Sequence, residues 1–252
     1  MVVPTLGRRP ALLRACLESI AAQDVLVDIV LVAPVGIAEV SALANEFGAE
    51  LKEDPGSLAA AINVGAGDGQ DGHEFLNWLG DDDLLDPGAL KATVAALEAF
   101  PGAVLAYGSC RYIDEAGREL WVSRAGRWAP RILAWGPDLI PQPGMLVRRL
   151  AWDQVGGIDE SFRFAFDLDL LLKLKKKGDF VDVGRVVACF RWHAASLTVS
   201  DRTASLQESE RARRAALSPT ARRLAWIWEY PVRVVTRSAA AEVNRRARRR
   251  KS

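Results

Sequence analysis

The sequence predicts an α/β fold: a doubly wound, mostly parallel sheet. Three observations carry this. Short runs rich in Val, Ile and Leu alternate with helix-patterned stretches over the first hundred residues, and such alternation with short connections gives parallel strands covered by helices on both faces. Residues 25–33 are apolar almost without interruption, as a strand buried on both faces requires. Residues 74–85 run from Phe75, Leu76, Trp78 and Leu79 into Gly80 and three successive carboxylates, Asp81, Asp82 and Asp83. Ligands of such sheets sit beyond the carboxyl ends of the strands.

In order, Val2 and Val3 form a short first strand, stopped by a turn containing Pro4, Thr5, Leu6, Arg8 and Arg9. A helix over 10–23 places Leu13, Cys16, Leu17 and Ile20 on one face. The strand at 25–33 follows, then a helix over 37–47 that ends at Gly48, a suitable C-cap. A third short strand spans 49–52. The turn from Asp54 to Ser57 opens an Ala-rich helix over 58–66, and 74–79 is the fourth strand. Asp86 as N-cap and Pro87 at the first helical position start a helix to about Phe100. That assignment leaves the three aspartates free of capping duty.

Residues 103–107 form another strand, and 112–120 read as a hairpin turning at Glu115, Ala116 and Gly117. Trp121, Trp128 and Trp135 follow in an irregular stretch, suited either to stacking on sugars or to packing at a sheet edge. A turn feeds a strand over 140–149, a short helix covers 151–155, and 156–160 is a turn. The helix over 164–177 buries Leu170, Leu171 and Leu174 and turns Lys173 and Lys175 to Lys177 outward. Asp167 and Asp169 near its start point about 200° apart, so they cannot both address one small ligand unless the helix starts between them: one serves chemistry while the other caps, or both cap. A last strand over 186–191 leads to His193.

Three adjacent acids repel one another unless a positive charge lies among them. A hard divalent cation, Mg²⁺ or Mn²⁺, takes oxygen ligands and bridges carboxylates to phosphates. No G-x-G-x-x-G follows the first strand and no G-x-x-x-x-G-K-[ST] loop occurs, so a nucleotide must be held by other means. The turn at Thr5–Arg9 offers a hydroxyl, main-chain N–H groups and two guanidiniums.

The motifs, in order, resemble the family-two glycosyltransferases of the GT-A fold over about residues 1–200. Val2-Val3-Pro4-Thr5-Leu6-Gly7-Arg8 is similar to that family's V-I-P-T-Y-N-R opening. Residues 56–65, including Asn63, resemble its G-x-x-x-A-x-N-x-G segment, and Trp78-Leu79-Gly80-Asp81-Asp82-Asp83 its D-x-D strand end. Tyr107-Gly108 with residues 113–117 resembles Y-G-D…I-D-x-x-G. Residues 156–160 with Phe166-Asp167-Leu168-Asp169-Leu170 resemble G-G-F-D-E…E-D-x-D-L, and Phe190-Arg191-Trp192-His193 the closing F-R-x-H. The resemblance implies that Pro4, Thr5, Leu6, Arg8, Asn63, Asp81 and Asp82 contact a nucleotide-sugar donor. It implies that Asp82, Asp83 and His193 hold a divalent cation (Mn or Mg) and that Asp167 is the base of an inverting transfer to a glycan or lipid-linked acceptor. The chain departs from the family at Val32-Ala33-Pro34-Val35, where an acidic pair is common, at Phe166 in place of a glutamate, and at Gly80 in place of the first D-x-D acid.

Charge divides the chain. Residues 1–200 carry 19 Lys and Arg against 27 Asp and Glu, a net of −8, whereas 201–252 carry 14 against 5, a net of +9. The expected organisation is therefore a catalytic domain at 1–200 and a helical, Arg/Trp-rich extension at 201–252. Arg with Trp226, Trp228 and Tyr230 suits an anionic membrane surface or a helix packed on the catalytic domain with a basic end. The acidic body argues against nucleic acid as a partner. Three scattered cysteines exclude a disulfide framework. With no signal peptide and no apolar run of spanning length, the expected location is the cytoplasm, peripheral on the inner face of the plasma membrane. Two other classes fit the acidic strand end: a nucleotidyltransferase, and a non-catalytic nucleotide- or glycan-binding relative of the fold.

Overall fold

The computed structural model of the chain describes residues 1–67, 72–124, 126–136, 138–192, 202–227 and 229–231. Strands β1 (Val2–Pro4), β2 (Val30–Ala33) and β3 (Glu50–Glu53) form a parallel sheet with β2 in the middle. Helices α1 (Pro10–Ala21) and α2 (Ala38–Phe47) make the first two crossovers, and α3 (Leu58–Ala66) leads to β4 (Phe75–Leu76). Alternate residues of β1 and β2 enter separate cores: Val2 and Val32 join Ile62, Trp78 and Leu105 on one face, while Val3, Leu31 and Ala33 join Leu13, Leu17, Val40 and Leu43 on the other. That period of two is the pleat of a sheet covered on both sides.

The expected strand at 25–33 shortens to its last four residues. Register places Val2 and Glu50 on either side of Val30, and the chain reaches Glu50 straight from the left-handed C-cap Gly48 (φ 63°), so no ladder extends back toward Val25. Leu26 is wholly exposed. The Ala-rich character of α3 has a packing cause. A Cβ at Gly65 would lie 2.2 Å from Val2 Cγ1 and 3.0 Å from Val32 Cγ2; only a hydrogen lets helix and sheet approach so closely.

Beyond β4 the sheet becomes mixed. The order is β4–β8–β6–β9–β5, with β5 (Leu84–Leu85), β6 (Ala103–Ile113), β8 (Leu146–Arg148) and β9 (Asp179–Arg191). Only β6 and β9 run parallel here; β4–β8, β6–β8 and β5–β9 are antiparallel. β6 also carries the expected hairpin partner, β7 (Glu119–Ser123). Asp114 folds that turn by accepting from the N–H groups of Ala116 and Arg118, both at 2.9 Å. The two sheets meet at residues 75–79: Trp78 bridges Val2 in parallel, with Val2 N donating to Asn77 O and Leu79 N to Val2 O, each at 2.9 Å.

The other helices are α4 (Ala89–Ala99), α5 (Ala129–Ile132), α6 (Arg149–Val155), α7 (Phe166–Lys175), α8 (Arg202–Ala216) and α9 (Pro219–Leu224). Asp86 does not cap α4, which starts after Gly88 in the left-handed region (φ 70°). Its carboxylate instead accepts from Arg111 at 3.0 Å and faces Arg185 at 3.7 Å. The three aspartates remain free of that helix, as expected. All three cysteines are free and buried. No helix among the described residues is long and apolar enough to cross a membrane.

Candidate active site

The end of β1 delivers Thr5, buried, to the turn at Asp81–Asp83. Thr5 Oγ1 donates to Asp81 Oδ2 at 2.7 Å and accepts from Gly7 N at 3.0 Å. Arg9, at the head of α1, donates to Asp82 Oδ2 at 2.7 Å and to Asp81 Oδ1 at 3.1 Å. The positive charge that three adjacent acids require is thus supplied within the chain by a guanidinium. Burial pushes the Asp81 carboxyl up, opposed by the Thr5 hydroxyl and Arg9.

Asp83 lies deeper, on the far side of the turn. It accepts from Arg191 N at 2.9 Å, while Arg191 donates through Nε to Asp82 O and through NH1 to Asp114 O and Glu115 O, all at 3.0 Å. Burial, with the Asp82 charge beside it, holds the Asp83 carboxyl well above its usual value. One arginine at the end of β9 therefore joins the acidic turn to the β6–β7 hairpin.

The remaining expected residues divide. Pro4 closes β1 opposite Val32, and Leu6 and Arg8 are exposed on the following turn. The Asn63 amide donates to Ile158 O and Glu160 Oε1 and accepts from Ile158 N, each at 2.9 Å; it ties α3 to the turn at 156–160. His193 lies outside the described residues. Asp167 sits half-buried in the first turn of α7, and burial pushes its carboxyl up. Its neighbour Phe166 packs on the buried Trp78 with ring centroids 6.5 Å apart, which sets the start of α7 against the segment that leads to Asp81. An apolar residue at 166 is what that contact needs. Neither Asp167 nor Asp169 makes a side-chain cap: Asp167 accepts from Leu168 N, and Asp169 is buried against Lys173 at 2.7 Å. Trp121 stacks on Tyr112 (4.4 Å, 15°), whereas Trp128 and Trp135 are exposed.

Sequence reasoning named Arg9 only as one of two guanidiniums on the turn, not as the partner of Asp81 and Asp82. One group escaped it. Asp138, between α5 and β8, has a carboxyl raised to about 7 by burial and by the charge of Asp167; nothing local in the sequence marks it.

Among the described residues no three ligating side chains already surround one point. The donor chemistry nevertheless fits a hard divalent cation: the corner presents carboxylate oxygens, and the Arg9 guanidinium stands in as the cation between two of them.

No family model matches the chain. In an alignment of 192 positions that covers 70% of the chain, it is 31% identical to the O-antigen biosynthesis protein RfbC of Myxococcus xanthus, of which it spans 14%. Among solved structures, S. aureus TarS residues 1–349 superposes with a TM-score of 0.63 at 15% identity, covering 88% of this chain and 67% of that one. The mannosyltransferase PcManGT from Pyrobaculum calidifontis, in complex with GDP-Man and Mn²⁺, gives 0.61 at 16% identity over 96% and 74%. The chain has the GT-A glycosyltransferase fold. Its motif resemblance to the family-two glycosyltransferases is consistent with every one of these neighbours.

Proposed function

We propose that the protein is a metal-dependent, inverting family-two glycosyltransferase that moves a sugar, of hexosyl type, from a nucleotide-diphosphate donor to a hydroxyl of a cell-envelope or lipid-linked glycan. The observation that carries this reading is the convergence of Thr5, Arg9 and Asp81–Asp83 at the carboxyl end of the sheet, with Phe166, the neighbour of Asp167, packed on Trp78 in the segment that leads to it. The named relative in O-antigen biosynthesis and the mannosyltransferase with GDP-Man and Mn²⁺ support the same class.

In this reading Pro4, Thr5, Leu6, Arg8, Asp81 and Asp82 line the donor, and Asn63 backs them by holding the turn at 156–160. Asp82, Asp83 and His193 would hold Mn²⁺ or Mg²⁺, which when bound neutralises charge developing on the departing diphosphate. The Asp167 carboxylate takes the acceptor hydroxyl's proton as that oxygen bonds the anomeric carbon. The bond from that carbon to the diphosphate breaks on the opposite face, so the configuration inverts and nucleoside diphosphate leaves. The cytoplasmic face of the membrane suits the substrates, and α9 supports contact with it: Arg222 and Arg223 are followed by exposed Leu224, Trp226 (69%), Ile227 and Tyr230 (72%). Sedimentation with anionic vesicles, with and without residues 218–252, tests that contact.

The enzymatic reading is tested by thermal-shift screening of UDP-, GDP- and dTDP-sugars with Mn²⁺, since a ligand of the native state raises its stability, followed by product analysis. Stabilisation with nucleoside diphosphate release is expected. Pyrophosphate release from a nucleoside triphosphate would make it a nucleotidyltransferase, and binding without turnover a non-catalytic relative.

A further inference from the structure

The stretch that leads into α7 is pinned from two directions. At its start Asn63 of α3 holds the turn at 156–160 through Ile158 and Glu160. At its end Glu208 of α8 accepts from three successive main-chain N–H groups: Arg163 (3.0 Å), Phe164 (2.6 Å) and Ala165 (3.0 Å). Consecutive N–H groups turned to one point make a concavity that holds an anion, and a carboxylate ahead of a helix also meets the positive end of its dipole. Burial opposes the Glu208 charge, yet those N–H groups hold its carboxyl below the usual value.

α7 supplies no such group of its own. Its N-cap is Ala165, with no side-chain acceptor; Asp167 accepts from Leu168 N, and Asp169 is turned to Lys173. One turn further along α8, Arg211 lies 3.8 Å over the Phe162 ring and donates to Ser161 O at 2.8 Å. Ala212 is buried in the main core that Phe162 also enters. Every residue from Ser161 to Ala165 is thus in contact with Glu208 or Arg211, and Asp167 follows two positions later.

We infer that Glu208 is a positioning residue for sugar transfer: by fixing the entry to α7 it fixes where Asp167 stands, and α8 belongs to the catalytic unit rather than to the basic extension. The inference rests on the reading of Asp167 as base. Glu208 acts through the main chain, not on the reacting atoms. Without it the N–H groups of residues 163–165 are left to water. The Asp167 carboxylate then spreads over positions of which few meet an acceptor hydroxyl in line for transfer.

The test is a double-mutant cycle on the full chain, with whichever UDP-, GDP- or dTDP-sugar turns over with Mn²⁺. Glu208→Ala is expected to lower kcat by about 10- to 100-fold with donor KM unchanged, and Glu208→Gln, which keeps one acceptor oxygen, to recover part of the loss. Rates are taken per folded molecule, so a contact that only supports folding leaves kcat at the wild-type value. In an Asp167→Asn background Glu208→Ala costs nothing further, because the group it positions is gone. An equal loss in both backgrounds overturns the inference, as does a wild-type kcat in Glu208→Ala. Amide hydrogen exchange at 163–169 reads the fastening without turnover: it quickens by about tenfold in Glu208→Ala and partly recovers in Glu208→Gln. Unchanged exchange also overturns the inference. If the wild type transfers no sugar while exchange shifts as stated, the fastening stands and the glycosyltransferase reading fails.

Discussion

Arg9 holds Asp82 at 2.7 Å while reaching Asp81 with its other terminal nitrogen at 3.1 Å. A side-chain cation thus occupies ground that a divalent metal would share, and the two would compete. The arginine is 39% exposed, so its hold is modest, about 0.2–1 kcal/mol for such a pair. Arg9→Gln is expected to bind Mn²⁺ up to about fivefold more tightly without nucleotide. Calorimetric titration checks this, and unchanged or weaker binding would rule the competition out.

Asp167→Asn keeps the volume of the side chain and an oxygen able to accept from Leu168 N, but cannot take a proton at neutral pH. Transfer is expected to fall by about 10²–10⁴ with donor binding retained. Turnover near wild type would remove Asp167 as the base.

Asp138 provides a stability test with a definite sign. A carboxyl whose folded-state pKa is raised to about 7 favours the native state while protonated, and that contribution is lost as pH climbs through 7. Asp138→Asn keeps the acceptor for Ile140 N and removes the buried charge. The variant should melt higher than wild type at pH 8, with the gain shrinking at pH 6 and nearly absent at pH 4. A gain independent of pH would contradict the assignment.

Gly65→Ala probes the closest helix–sheet approach. The added methyl would fall 2.2 Å from Val2 Cγ1, and relieving such overpacking costs about 1–3 kcal/mol. Urea unfolding should show that loss. A neutral result would mean α3 can move outward freely.

Much of the N-terminal half was legible because its signals are local. The pattern of α1, the Gly48 stop and the Asp54–Ser57 turn that opens α3, where the Ser57 hydroxyl accepts from Ala60 N at 3.2 Å, lie within a few residues of what they control. The Asp81–Asp83 corner was legible as a charge problem, but its solution was not: Arg9 is 73 residues from Asp82 in sequence. The same distance effect hid what holds the entry to α7. Asp167 and Asp169 stood where caps belong, yet neither caps; the Glu208 carboxylate, more than forty residues on, accepts from the N–H groups of residues 163–165 just before the helix. The mixed half of the sheet was harder to read, since whether β8 and β9 run parallel or antiparallel to β6 depends on chain reversals that no single stretch records.

Arg191 also limits how portable the acidic corner can be. Its main-chain N–H grips a carboxylate 108 positions earlier, and its guanidinium grips a hairpin carbonyl 77 positions earlier. A chimera that imported residues 80–83 alone would receive a loop without its fastening. Loop, hairpin and the last residue of β9 must travel together, or the graft will arrive loose.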